Sequence, residues 1–417
     1  MKNSNIAKVA LVTLALVFSI QKGNAQTVKI LFDATKGEMA GNADWVIDYD
    51  QTNLGVGSGG AYLTSSGHQS NPQRIPTPAQ SGITASTAET YWSGGLSSWG
   101  VDCAKKGYTV ETLPWNGQIT YGSTSNPQDL SNYRVYIVDE PNIQFTAAEK
   151  TAIMQYVQHG GRLFMISDHN GSDRNGDGWD SPAIWNDFIT TNSVQPYPFG
   201  IHFDLADFSE TTTNISASAT DSIIHGPMGT VTKAQWSGGT TMTLNPAQNS
   251  TVKGVVFQTG VTPGNNNVMV AYCHYGSGKV AAIGDSSPTD DGTGNPTCTL
   301  YNGYWSDASG NHRLLLMNIT IWLATLGSTT ELGAVANENY NITVFPNPAN
   351  STAYFKANNT LTDVQIDIFN VTGSKVCSKT IEQLNEGATE TFNLSSGLYI
   401  IKVSSDQYSG TSKLSVY

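Results

Sequence analysis

Four short runs in this chain are apolar nearly from end to end, and each stops on or beside a carboxylate. They are KILFD at 29–33, VYIVDE at 135–140, RLFMISDH at 162–169 and KVAAIGD at 279–285. A strand with apolar side chains on both faces must be covered on both, which is the habit of parallel sheets with helices above and below. Charged residues are 13% of the 417, about half of the ~25% usual in soluble domains. Acid density alone therefore does not put Asp33, Asp139 with Glu140, Asp168 with His169, and Asp285 at successive strand ends.

The segments between these runs read as helices. TAETYWSGGLSSWGVDCAKKG is preceded by Ser86 at capping-box spacing from Glu89 and ends at Gly107. TAAEKTAIMQYVQHGG repeats the box with Thr146 and Glu149 before a Gly pair, and NHRLLLMNITIWLATLG is apolar throughout. TVETLP is a further strand. Strands alternating with helices predict an α/β domain over residues 27–330, a doubly wound, mostly parallel sheet. Short Thr-rich segments at about 190–275 predict a β-rich insertion. No internal repeat or low-complexity tract is present.

Lys2 and Lys8 precede the apolar run VALVTLALVFSI, and Gly23 and Ala25 supply the small residues of a cleavage site. Residues 1–25 therefore read as a secretory signal peptide, and no later segment reaches the length of a membrane span. The net charge of −12 argues against a nucleic-acid partner, which needs a basic surface. Cys103, Cys273, Cys298 and Cys377 form no metal-binding spacing. Export makes a Cys273–Cys298 disulfide possible, and none of the four is singled out as a nucleophile.

After a linker at 331–342 the pattern changes to period-two alternation. Val364, Ile366 and Ile368, and then Tyr399, Ile401 and Val403, mark half-buried strands punctuated by Pro346, Pro348, Gly373 and Gly397. Phe345-Pro346-Asn347-Pro348, the Asn370–Gly373 turn, Gly397-Leu398-Tyr399 and the terminal Lys413-Leu414 resemble the type A C-terminal sorting domain of the Bacteroidetes type IX secretion system. The resemblance covers 343–417. It implies a small β-sandwich, recognition by the secretion machinery, and export to the medium or the cell surface. It is an address and carries no activity.

A second resemblance lies in VYIVDEPNIQFTAAEKTAIMQYVQHGGRLFMISDHN, which is similar to the class I glutamine amidotransferase-like fold. That family carries a nucleophilic cysteine in the turn after this strand, where the chain has Ile166-Ser167-Asp168-His169. The family's His-Pro-Glu is replaced by Gly284-Asp285-Ser286-Ser287-Pro288. The resemblance therefore implies the fold without glutaminase chemistry.

Ligands of open parallel sheets gather at the carboxyl ends of the strands. Asp33, Glu140, Asp168, His169 and Asp285 are accordingly the candidate catalytic residues, as an acid/base pair or as holders of a divalent metal that activates water. The alternative is that some of them cap helices or bind loop amides. Next to them, Asp173-Arg-Asn175-Gly-Asp177-Gly178 has the D-x-N-x-D-G start of a calcium loop, with Trp179 and Asp180 completing the candidate set. Ile184 stands where such a loop has its bidentate acid, and an ion-free loop closed by its own side chains is the other reading. The long segments 55–87 and 286–312 follow strand ends. The second brings Tyr304, Trp305 and His312 as a candidate sugar platform. No Ser-His-Asp pattern and no HExxH motif is present. The expectation is a secreted, calcium-stabilised hydrolase of an extracellular polymer, a polysaccharide before a peptide or ester. The alternative is a non-catalytic secreted protein that binds a glycan or partner.

Overall fold

The structure is a computed structural model that describes residues 28–40, 43–49, 72–293, 303–305, 310–325, 342–357, 360–370, 374–385, 390–405 and 409–417. The expected signal peptide, the expected linker up to residue 341, most of the first long segment and Cys298 lie outside the described residues. The four apolar runs are all strands: β1 (Lys29–Asp33), β3 (Val135–Asp139), β4 (Arg162–Ile166) and β11 (Gly278–Ile283), with β2 (Thr109–Leu113) from TVETLP. They lie parallel in the order β2-β1-β3-β4-β11. The strand ends named above therefore share one edge of the sheet.

Each strand splits its side chains between two cores, as period-two geometry requires. Phe32, Ile137, Phe164 and Ile283 face one side, packing with α1 (Ser97–Lys105) and α4 (His312–Ala324). Leu31, Val138, Met165 and Ala282 face the other, packing with α2 (Ala147–Gln158) and α3 (Ser181–Thr191). Helices thus cover both faces of the parallel strands, which accounts for the runs without alternation. Trp99 of α1 is fully buried, edge-on to Phe32 at 5.2 Å and to Phe164 at 5.8 Å. Its indole N–H donates to the Thr320 hydroxyl of α4. Trp99→Ala should cost about 3–5 kcal/mol through cavity formation and the lost hydrogen bond, read as a lower urea midpoint. An unchanged midpoint would show that this seam does not hold the layers together.

The capping box of α2 forms as expected: the Thr146 hydroxyl accepts from Glu149 N, and the Glu149 carboxylate accepts from Thr146 N at 2.7 Å. The expected box at Ser86 and Glu89 does not form, and α1 starts at Ser97. Residues 94–96 instead run along another segment, with Gly94 N donating to Ile47 O and Leu96 N to Val46 O. A Cβ at Gly94 would lie 1.9 Å from the Val46 carbonyl oxygen. That long-range contact overrides the local helix signal.

The β-rich stretch does not form a module apart from the sheet. β5 (Ile201–Phe203), β8 (Met242–Leu244), β9 (Lys253–Phe257) and β10 (Val268–Tyr275) extend it antiparallel beyond β11, giving nine strands among the described residues. β6 (Phe208–Thr212) and β7 (Ala234–Gly239) form a separate hairpin-like pair. The domain is therefore a mixed α/β sheet, parallel at one end and antiparallel at the other. Cys273 is buried in β10 with a free thiol.

The tail is a mostly antiparallel β unit with its own core. Its strands are β12 (Ile342–Asn350), β13 (Thr352–Ala357), β14 (Leu361–Asn370), β15 (Lys375–Leu384), β16 (Glu390–Asn393), β17 (Gly397–Ser404) and β18 (Ser409–Val416). They run in the order β15-β14-β17-β18-β12-β13-β16. The alternating residues Val364, Ile366, Ile368, Tyr399, Ile401 and Val403 all point into that core. Among the described residues, no helix is long and apolar enough to cross a membrane.

Candidate active site

At the carboxyl edge of the parallel strands, three of the candidate carboxylates converge. Glu140 follows β3, Asp168 follows β4 and Asp285 follows β11, and their side chains are 0%, 2% and 0% exposed as whole residues. Arg174, which sequence reasoning had passed over inside the acidic loop, reaches down between two of them. Its Nε lies 2.9 Å from Glu140 and its terminal nitrogen 2.5 Å from Asp168. Burial works against the guanidinium charge, and Glu140 and Asp168 more than offset it.

Glu140 is the most constrained group of the set. Its φ of 51° is in the left-handed region, a strained setting for a non-glycine residue that recurs at functional sites. Besides Arg174, its carboxylate accepts from the Trp45 indole N–H at 3.1 Å and from the Ser286 hydroxyl at 2.5 Å. Neither Trp45 nor Ser286 carries a motif that would nominate it. Asp285 is held by the backbone: Ser237 N donates to one oxygen at 2.5 Å and Ser287 N to the other at 2.9 Å. Ser237 comes from β7, so the antiparallel part of the domain builds one wall of the site.

Burial is the largest influence on every carboxyl group here whose ionisation is displaced. It pushes Asp285 up to about 7, the amides of Ser287 and Ser237 offsetting part of the effect. Asp168 is held well above the usual carboxylate range by burial and then by repulsion from Glu140 and Asp285, against the pull of Arg174. Asp139 is raised too, chiefly by burial and with repulsion from Glu140, Asp285 and Asp290, and neither of its oxygens has a partner at hydrogen-bonding geometry. Several acids around one guanidinium must hold protons among them at neutral pH. His169 stands at the rim, 23% exposed at its side chain, with Nε2 3.7 Å from Asp168 and Nδ1 within 2.8 Å of the Asn170 carbonyl oxygen.

Asp33 does not join this group. Its oxygens accept from the Thr35 hydroxyl, and burial raises its pKa above the usual carboxylate range, with Glu38 and Lys36 offsetting part of the effect. Glu38 in turn accepts from Lys36 N and is raised by burial and by Asp33. Among the described residues, this second buried acid pair shares no hydrogen bond with the first.

The sugar platform is corrected by burial. Tyr304 is 0% exposed and donates its hydroxyl to Asp102. His312 is 3% exposed, with Nδ1 within 2.7 Å of the Gly303 carbonyl oxygen and Nε2 accepting from Gln235 N. Trp305 is half-buried beneath the Arg313 guanidinium and donates to Ser98. All three tie the late loop to α1 and α4, and that use of their polar atoms removes them from a platform.

The acidic loop is closed by its own backbone amides. Asp173 accepts from Gly176 N, Asp177 N and Gly178 N, and Asp177 accepts from Trp179 N. Asn175 accepts from Asp177 N and donates to the Asn142 carbonyl. Asp180 is committed elsewhere: it caps α3 through Ala183 N and accepts from Gly171 N. Among the described residues, no three His, Cys, Asp or Glu side chains form a ready metal-binding set.

Comparison with known proteins bears chiefly on the tail. Residues 343–417 match the family model described as a secretion system C-terminal sorting domain, so the chain is exported or surface-attached through the type IX secretion system. No curated protein matches the chain in sequence. Among solved structures it is similar to the mmIFT52 N-terminal domain, at 15% identity over 72% of this chain and 98% of that one, with a TM-score of 0.42. It is also similar to the cytoplasmic protein STM3548 from Salmonella typhimurium, at 14% identity over 71% and 98%, with a TM-score of 0.38. A β-galactosidase from Bacillus circulans sp. alkalophilus shares 11% identity over 75% of this chain and 38% of that one, with a TM-score of 0.29. These likenesses are too loose to carry a fold family or an activity across.

Proposed function

We propose that the exported domain is a hydrolase of an extracellular polysaccharide, built on an amidotransferase-like sheet that has exchanged its cysteine and histidine for carboxylates. The observation that carries this reading is the group Glu140, Asp168 and Asp285, gathered from three strand ends and buried with more acid than one arginine balances. Glycoside cleavage needs a carboxylic acid to protonate the leaving oxygen and a carboxylate to act opposite it. Unequal environments are how one site keeps both forms at once. Asp168, repelled by two neighbours, suits the acid. Asp285, with two amide donors favouring its charge, suits the base. His169 at the rim is the group a substrate would meet first.

The burial of these groups beneath Arg174 favours a second reading, in which the cluster is a structural clamp and the protein binds a glycan without turnover. Activity screening of the exported domain on plant and marine polysaccharides separates the two. Release of reducing ends supports the hydrolase. Binding with no release on any retained polymer supports the clamp.

We further propose that calcium stiffens the loop beside the site. Asp173, Asn175, Asp177 and the main chain at Trp179 are hard oxygen donors of the kind calcium takes, and the amide bonds to the carboxylates leave further lone pairs. Asp180 stays with its helix. An ion there would fix the loop, and the loop side chains would orient it. At about 100-fold saturation such binding stabilises by about 2.7 kcal/mol. The wild-type melting temperature should therefore rise with added calcium and fall with chelator, and Asp173→Ala with Asp177→Ala should remove the difference. A wild-type melting curve indifferent to chelator would end the proposal.

A further inference from the structure

Among the described residues, one side chain on one loop, Arg174, lies over two of the site's three carboxylates. Arg174 is 22% exposed at its side chain, while Glu140 and Asp168 beneath it are 0% and 3%. A ligand approaching from solvent reaches those oxygens where the guanidinium now lies.

The loop that carries Arg174 is built to move as a piece. Its tip, 173–178, is cross-braced by the three amides that Asp173 accepts. Its base is tied down where Gly171 N meets Asp180, the cap of α3. Gly171, just before the tip, and Gly178, its last residue, have φ of 83° and 92°, and nothing stands within 4 Å of where a Cβ would be at either. The tip is fastened to the body by Arg174 itself and by Asn142, which accepts from Arg174 N at 3.2 Å and from the Asn175 side chain. A braced tip, unpacked glycine joints and a charged fastening describe a lid with a latch.

We propose that Arg174 is that latch: its guanidinium is an internal occupant of the site, and lifting the loop frees Glu140 and Asp168 for a ligand that must compete with it. This rests on the carboxylate site of the proposed function but does not require that its ligand be a glycan. Removing the guanidinium leaves the carboxylates with a vacant cationic seat, which free guanidinium ion has the shape and charge to fill.

Hydrogen exchange followed by mass spectrometry on the full chain tests this without any substrate. In Arg174→Ala, peptides spanning 167–180 should exchange at least roughly tenfold faster than in wild type, with peptides from α1 and α4 unchanged. Low-millimolar guanidinium chloride should restore protection to the variant and leave wild type unaffected, measured against equal sodium chloride. Equal protection in the two proteins would overturn the latch, and so would a guanidinium effect no larger than that of sodium. Arg174→Lys keeps the charge without the fork and covers the case in which the alanine variant does not fold. Intermediate exchange supports the latch, and wild-type protection overturns it. If the loop is unlatched in these variants and no polysaccharide is cleaved, the latch stands and the hydrolase reading falls.

Discussion

A chain ending before residue 343 is expected to accumulate inside the outer membrane of a type IX-competent host, with none of it in the medium or on the surface. The same truncation should leave the first domain folded. The two cores of that domain are made of residues between Ile30 and Ala324, and the tail core of residues between Ala349 and Val416. Among the described residues, no side chain is shared between them. Within the tail, the sorting motifs meet in space. The Asn347 side chain donates to Lys413 O and accepts from Ser415 N, and Ala349 pairs with Val416. The Phe-Pro-Asn-Pro segment of β12 thus pins the final strand, bringing together motifs nearly seventy residues apart in this chain. Immunoblots of medium, surface and periplasm check the outcome. Secretion of the truncated chain at the wild-type level would mean that the address lies elsewhere.

The parts of the fold that could be read from sequence are those in which local pattern and tertiary demand agree. KILFD, VYIVD, RLFMI and KVAAI are strands because every position is buried, and Thr146 with Glu149 caps a helix that also packs. The start of α1 was hidden because the pairing of Gly94 and Leu96 with residues 46 and 47 leaves no local trace. The strands between 201 and 275 were legible as β structure, but a period-two pattern does not say which sheet a strand joins. For the site, the carboxylates were legible from their position at strand ends. Arg174 was not, because its sequence neighbours suggested a solvent loop, while its side chain reaches inward to Glu140 and Asp168. Trp45 and Ser286 sit in no motif, and their role depends on the strained backbone of Glu140. Tyr304 and His312 were misleading because an aromatic in a long loop looks alike in sequence whether it meets solvent or core.

Asp168→Asn and Asp285→Asn should each reduce turnover on a confirmed polymer by roughly 100- to 10,000-fold, the usual loss when a general acid or base is removed. The two should differ in stability, and the difference follows from their hydrogen bonds. Asp168 accepts from Arg174 through one oxygen, and asparagine retains an oxygen for that bond, so its melting curve should shift little. Asp285 accepts one backbone N–H on each oxygen. Asparagine turns one acceptor into a donor that faces another donor, and a buried amide left unpaired costs about 1–3 kcal/mol. The pH dependence gives a further check. Asp285 titrates at about 7 in the folded protein and near 4 when unfolded, so the folded state binds its proton more tightly. Its contribution to stability is fully present below about pH 4 and is lost as pH rises to about 7, by an amount on the order of a few kcal/mol. Asp285→Asn should therefore be less stable than wild type at low pH and should lose less stability than wild type between pH 4 and 7. Calcium-loop variants should show the reverse order, losing stability first and activity only in consequence. If both Asn variants cleave the polymer at the wild-type rate, the carboxylates of this edge are a clamp for the loops above them, and catalysis must be sought among other residues.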